Sequence, residues 1–283
     1  MLTNRLNHSS KPPEGVGGSK SPCGGFRGLI SIINYSNTIP FMYGLHTNAE
    51  LVQRSEFFYH YPAQAVEMLR NNEVDIGIVP VAAIPSIPQA RIVSDFCIGA
   101  YKRVDSVCLC SPVDLPEIRR ITLDYQSRTS NMLAKVLCKN VWNINPQFEE
   151  GTQGYETAND GTAKVIIGDR ALQHRASFAY SWDLAQEWYR AFGKPFVFAC
   201  WVANKDIPQD YLQLFEQALS YGVAHIDDAI AYHNTPKTFD IHNYLHNAVS
   251  YEFDEEKREA LRFFLTHIAT PPPKNHKKQS KIT

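Results

Sequence analysis

The run Leu29-Ile30-Ser31-Ile32-Ile33 is apolar and β-branched, and it stops abruptly at a polar loop, Asn34-Tyr35-Ser36-Asn37-Thr38, before Ile39-Pro40-Phe41 opens a helix-like segment. A strand buried in a parallel sheet has this signature, and proline suits a first helical turn. After the aromatic run from Glu56 to Tyr61, Pro62 begins an amphipathic segment through Arg70. Val74 to Val79 is the next strand and ends in Pro80-Val81-Ala82-Ala83-Ile84-Pro85, which completes a βαβ unit. Ala90 to Ala100 and Val104 to Cys110 read as two more strands. The second places Ser106, Cys108 and Cys110 on one face and Val107 and Leu109 on the other, and Ser111-Pro112 breaks it. Ile118 to Leu123 is a strand that feeds through Asp124–Ser130 into a helix, Asn131 to Cys138. Ala163 to Ile167 is a strand turning at Gly168-Asp169-Arg170 into another helix. Asp183 caps an amphipathic helix through Tyr189, with Gln186 three residues on. Pro195 to Ala203 is a strongly apolar strand. From Pro208 the pattern is helical in three segments, Gln209 to about His233, Asp240 to Ser250 and Asp254 to Ile268, and Pro271-Pro272-Pro273 ends it.

The strands at Val104–Cys110 and Phe196–Ala203 bracket a self-contained α/β stretch, Ser111 to Lys194. The expected fold is therefore α/β and two-lobed, with a hinge and a ligand cleft between the lobes. Residues 26–110 and 203–270 form the first, discontinuous lobe, and 111–202 form the second. Residues 1–25, rich in Gly, Ser, Pro and Lys, are expected to be disordered, as is the basic tail 271–283.

In open α/β sheets a ligand sits past the carboxyl ends of the strands, so Tyr35, Ser36, Asn37 and Thr38 fall where a small molecule would be held. Asn37 offers donors and an acceptor without charge, which suits a hydroxyl or a carboxylate, although Ser36 and Asn37 equally suit a helix cap. Small side chains at Ala82 and Ala83 let a ligand approach the backbone, or let helices pack tightly. Between Ser127 and Ser130 a polar loop feeds N–H groups and the hydroxyls of Thr129 and Ser130 into a helix start, a site for a carboxylate or an ordinary cap. Asp169 lines the cleft or caps its helix.

Composition narrows the field. In 283 residues, 44% are hydrophobic, enough for a sizeable core. The net charge is −1, but four lysines sit in the tail and three basic residues and one acid in the first 25. The body from Phe26 to Thr270 thus has 21 basic against 28 acidic residues and no basic stripe, which argues against nucleic acid. No apolar run reaches membrane-spanning length, and residues 1–25 lack the apolar centre of a signal peptide. Six scattered cysteines without CxxC spacing fit reduced thiols, hence a cytoplasmic protein. His242 and His246 have the spacing of a metal-binding helix but no acidic partner in HExxH fashion, so no metal is expected. Gly15–Lys20 lacks the order of a phosphate loop, there is no GxSxG, and Trp182, Trp188 and Trp201 read first as core.

Seven segments in order resemble one family, the chorismate dehydratases of the futalosine route to menaquinone, built on the type II periplasmic-binding-protein fold. They are Tyr35-Ser36-Asn37-Thr38-Ile39-Pro40-Phe41, Val79-Pro80-Val81, Val104-Asp105-Ser106-Val107, Leu123–Ser130, Ile167–Leu172, Asp183–Trp188 and Pro195–Trp201. The resemblance implies loss of water from chorismate to give 3-[(1-carboxyvinyl)oxy]benzoate, without metal or organic cofactor. It also implies Asn37 and Ser106 as catalytic residues, and Tyr35, Ser36, Thr38, Val81, Ala82, Ser127, Thr129, Ser130, Gly168 and Asp169 around the substrate. No His, Glu or Asp of these motifs stands out as a base, so the enolpyruvyl carboxylate of the substrate is expected to take the ring proton. Two alternatives share the fold: the sister 1,4-dihydroxy-6-naphthoate synthase and a receptor for a small acid.

Overall fold

The computed structural model describes residues 25–269, so the expected disordered ends, apart from Gly25, lie outside the described residues. The chain passes first through β1 (Gly28–Ile33), α1 (Ile39–Thr47), α2 (Ala49–Gln53), β2 (Ser55–His60), α3 (Pro62–Arg70), β3 (Ile76–Pro80) and β4 (Arg91–Ala100). It then crosses into β5 (Val107–Ser111), β6 (Arg120–Leu123), α4 (Arg128–Asn140), β7 (Gln147–Glu150), β8 (Ala163–Ile167), α5 (Gly168–His174), β9 (Tyr180–Asp183) and α6 (Leu184–Phe192). It returns through β10 (Phe196–Ala203), α7 (Gln209–Ala224), α8 (Ile226–His233), α9 (Ile241–Asn243) with a π-turn over Tyr244–Ala248, β11 (Ser250–Glu252) and α10 (Glu255–Ala269).

Two sheets result, one per lobe, in the orders β11-β4-β10-β3-β1-β2 and β7-β6-β8-β5-β9. In each, the strand that follows a crossing is inserted antiparallel to its neighbours: β10 between β3 and β4, and β5 between β8 and β9. This corrects the expected lobe boundaries. β5 belongs wholly to the second lobe and β10 to the first, so the chain changes lobes at 101–106 and again at 193–195. Both strands are buried along their whole length, so their apolar pattern is the same in whichever sheet they pair.

Three further differences have local causes. Residues 104–106 leave the expected strand because Asp105 adopts a positive φ of 64°. The helical segment from Gln209 breaks at His225, which separates α7 from α8. The segment from Asp240 closes as a π-turn and yields to β11, which pairs antiparallel with β4.

Helix α1, which follows the Tyr35–Thr38 loop, is held at backbone distance from α7. A Cβ on Gly44 would come within 1.9 Å of the Ala218 carbonyl oxygen, and one on Gly222 within 1.9 Å of the Pro40 carbonyl oxygen. Only glycine allows this approach. Gly44→Ala is therefore expected to cost about 2–3 kcal/mol by forcing the helices apart, read as a lower denaturation midpoint; an unchanged midpoint would refute the contact.

Candidate active site

The cavity lies where the lobes meet, past the carboxyl ends of β1, β3 and β8. Its cavity volume is about 60 Å3, within a cleft that is partly open to solvent. Tyr35, Asn37, Thr38, Ser106, Ser127, Ser130 and Gly168 line it, with Ile33, Ile98, Val104 and Phe198 among its apolar walls. Among the described residues, no Asp, Glu, His, Lys or Arg lines it. A wider depression that shares Pro80 and Ser127 with the cavity carries the charges instead, with Arg70, Arg128 and Lys135 beside Glu67 and Glu150.

Each polar group is aimed by local structure. The Thr38 hydroxyl donates to the carbonyls of Ile33 (2.6 Å) and Tyr35 (2.8 Å), which closes the loop after β1 and presents Asn37. Ser106 follows the strained Asp105. Asp183 Oδ2 accepts the N–H groups of Val104 (3.0 Å) and Asp105 (2.6 Å), while Arg103 and Arg175 bind the Asp105 carboxylate. Asp183 thus does more than cap α6, where it also accepts from the Gln186 N–H. Ser106, 1% exposed, accepts the Tyr244 hydroxyl at 2.8 Å. Ser127 caps α4, its hydroxyl accepting the Ser130 N–H and donating to the Ser130 hydroxyl. The opening N–H groups of α4 add a positive dipole end beside these hydroxyls.

Gly168 has a φ of 61° and sits against the Tyr35 ring, where a Cβ would lie 3.1 Å from ring carbons. The Tyr35 hydroxyl donates to Gln126 Oε1, which also accepts from Arg170. Burial, and then the nearby Asp124 charge, push the Tyr35 phenol above its usual range, so it stays protonated. Asp124 is itself raised by burial even though Arg170 lies 2.7 Å away.

Several residues expected around the substrate are bonded across the lobes. Ser36 donates its N–H (3.1 Å) and its hydroxyl (2.8 Å) to Asp169, which also pairs with Lys237 at 2.9 Å. Thr129 accepts the Ala82 N–H at 3.1 Å. Ser36, Val81, Ala82, Thr129 and Asp169 are absent from the cavity lining, and four of them fasten one lobe to the other. The reverse omission is Tyr244, which reaches Ser106 and also lies against Asn37. Its only sequence signal was an apolar position in a helical pattern.

The acidic partner that His242 and His246 lacked in sequence arrives from α8. Asp227 Oδ1 lies 3.0 Å from both rings. All three side chains are exposed and none lines the cavity.

Two sheets with mutually inserted strands and a cavity between them define a protein of the periplasmic-binding-protein fold. Solved structures agree: protein AF1704 from Archaeoglobus fulgidus (16% identity, TM-score 0.65, 86% of this chain and 96% of that one) superposes on the chain. So does the Candida albicans CA3427 gene product, described as having the generic periplasmic binding protein fold (14%, 0.59, 87% and 92%). A sequence model of the menaquinone-biosynthesis family matches residues 29–270, and the chain belongs to that family. Among curated relatives, the chorismate dehydratase of Thermus thermophilus is 24% identical over 266 residues, 86% of this chain and 96% of that protein.

The cross-lobe latch makes a local prediction. Asp169→Ala removes the acceptor of the Ser36 N–H and leaves Lys237 uncompensated. Because both charged groups keep some solvent contact, the expected loss is about 1–2 kcal/mol. Hydrogen exchange at the Ser36 amide should accelerate, and an amide as protected as in the wild type would contradict the latch.

Proposed function

We propose that the chain is a chorismate dehydratase of the futalosine route, a hydro-lyase acting in the cytoplasm. Family membership and the Thermus relative support the reading. The observation that carries it is the meeting of Asn37, from the first lobe, and Ser106, from the segment that crosses between the lobes, in a cavity without charged lining among the described residues. The five described cysteines are free and buried, in keeping with a reducing compartment.

Chorismate carries two carboxylates and a ring hydroxyl. Its dehydration breaks the C–OH bond and the C–H bond on the adjoining ring carbon, releases water and leaves an aromatic ring. Aromatisation supplies much of the driving force, so the protein's task is orientation and relief of developing charge. Hydroxyls and helix N–H groups hold carboxylates here without a cation. Asn37 and Ser106 bind the leaving hydroxyl or the reacting carboxylate. The cavity offers no titrating base: Tyr35 and Tyr244 are both held protonated by burial. The enolpyruvyl carboxylate therefore takes the ring proton and passes it to the departing hydroxide.

Purified protein incubated with chorismate, with chelator present, is expected to give 3-[(1-carboxyvinyl)oxy]benzoate, identified by chromatography and mass. Tight binding without turnover would point instead to a receptor. Asn37→Ala and Ser106→Ala should each lower kcat by about 10²–10³-fold, and near-normal turnover in both would overturn the assignment. Since burial raises both phenols and the substrate carboxylates ionise well below neutrality, kcat should be flat between about pH 6 and pH 9. A rise through neutrality would reveal a protein base instead.

A further inference from the structure

Between the two catalytic candidates stands a side chain with no role in the scheme above. Tyr244, 2% exposed, opens the π-turn of the first lobe, and its hydroxyl donates to Ser106 Oγ at 2.8 Å. The Asn37 side chain lies beside the same hydroxyl. The phenol is firmly held. Asp240 caps the preceding α9 by accepting the Asn243 N–H at 3.0 Å, the Phe239 ring stands edge-on to Tyr244 at 6.1 Å, and β11 anchors the chain directly afterwards. A π-turn carries one residue more than an α-turn, and such insertions recur at functional sites.

The donor inventory fixes directions. A phenol has one proton, and Tyr244 gives it to Ser106. Ser106 therefore receives on that side, and its own proton is left for the cavity. Each bond in such a chain polarises the next.

We propose that Tyr244 is the positioning residue that sets this polarity, so that Ser106 presents a donor to the leaving hydroxyl of the substrate. The hydroxyl then accepts from Ser106 as its C–O bond breaks. Tyr244 transfers no proton and touches no reacting atom. This inference rests on the dehydratase reading and adds the device that orients Ser106.

Tyr244→Phe keeps the ring and removes only the directing hydroxyl. Expected is a fall in kcat of about 10- to 100-fold, the scale of a misaligned catalytic group, with KM within about threefold. The same substitution in a Ser106→Ala background should have little further effect, because the group it directs is gone. Full kcat in Tyr244→Phe, or an equal loss in both backgrounds, overturns the assignment. If wild-type protein leaves chorismate intact, the dehydratase reading fails and takes this inference with it, so the two failures are told apart by the wild-type control. Should Tyr244→Phe not fold, the proton resonance of the buried Tyr244 hydroxyl serves instead. Its resonance should move in Ser106→Ala, and an unmoved resonance overturns the proposal.

Discussion

The polar seam between the lobes is the interaction on which the rest depends. Its bonds join residues far apart in the chain: Ser36 to Asp169, Tyr35 to Gln126, Ala82 to Thr129 and Tyr244 to Ser106. Each lobe has its own sheet, and only 101–106 and 193–195 connect them, so nothing covalent imposes the closed arrangement. A neutral hydrogen bond adds about 1 kcal/mol net, so such a seam closes the cleft without locking it. The same contacts bring Asn37 and Ser106 to one cavity.

A cavity for an anionic substrate that contains no cation has a chemical logic. A guanidinium beside the substrate carboxylate would lower its basicity, and a carboxylate expected to take a ring proton needs that basicity. Hydroxyls, an amide and a helix start bind anions more gently. The charges are displaced instead to the neighbouring depression, where Arg128 and Lys135 sit near Ser127 and can attract anions without touching the reacting groups.

How much was legible in the sequence follows from what each residue type can signal. The β-branched run of β1 and the polar quartet after it, the Asp183 cap and the strand-to-helix turn at Gly168 were readable because local chemistry alone dictates them. The lobe boundaries were not, since β5 and β10 are buried on both faces and periodicity cannot say which sheet a buried strand joins. Ser36, Thr129 and Asp169 were expected at the substrate, and the structure shows each of them gripping the facing lobe. Hydrogen-bonding capacity is visible in a sequence, but its partner is set by tertiary contacts. Tyr244 and Asp227 were missed for the same reason, each meeting its partners across elements that only the fold brings together.

The central claim is that the closed seam itself forms the reaction site. A crystal structure of the Ser106→Ala protein soaked with chorismate tests it most directly. The account predicts intact substrate in the cavity, its ring hydroxyl facing Asn37, its carboxylates on Ser127, Ser130 and the start of α4, with Ser36 still bound to Asp169. Substrate seated instead among Arg70, Arg128 and Lys135, with the cavity between Asn37 and residue 106 unfilled, would contradict it.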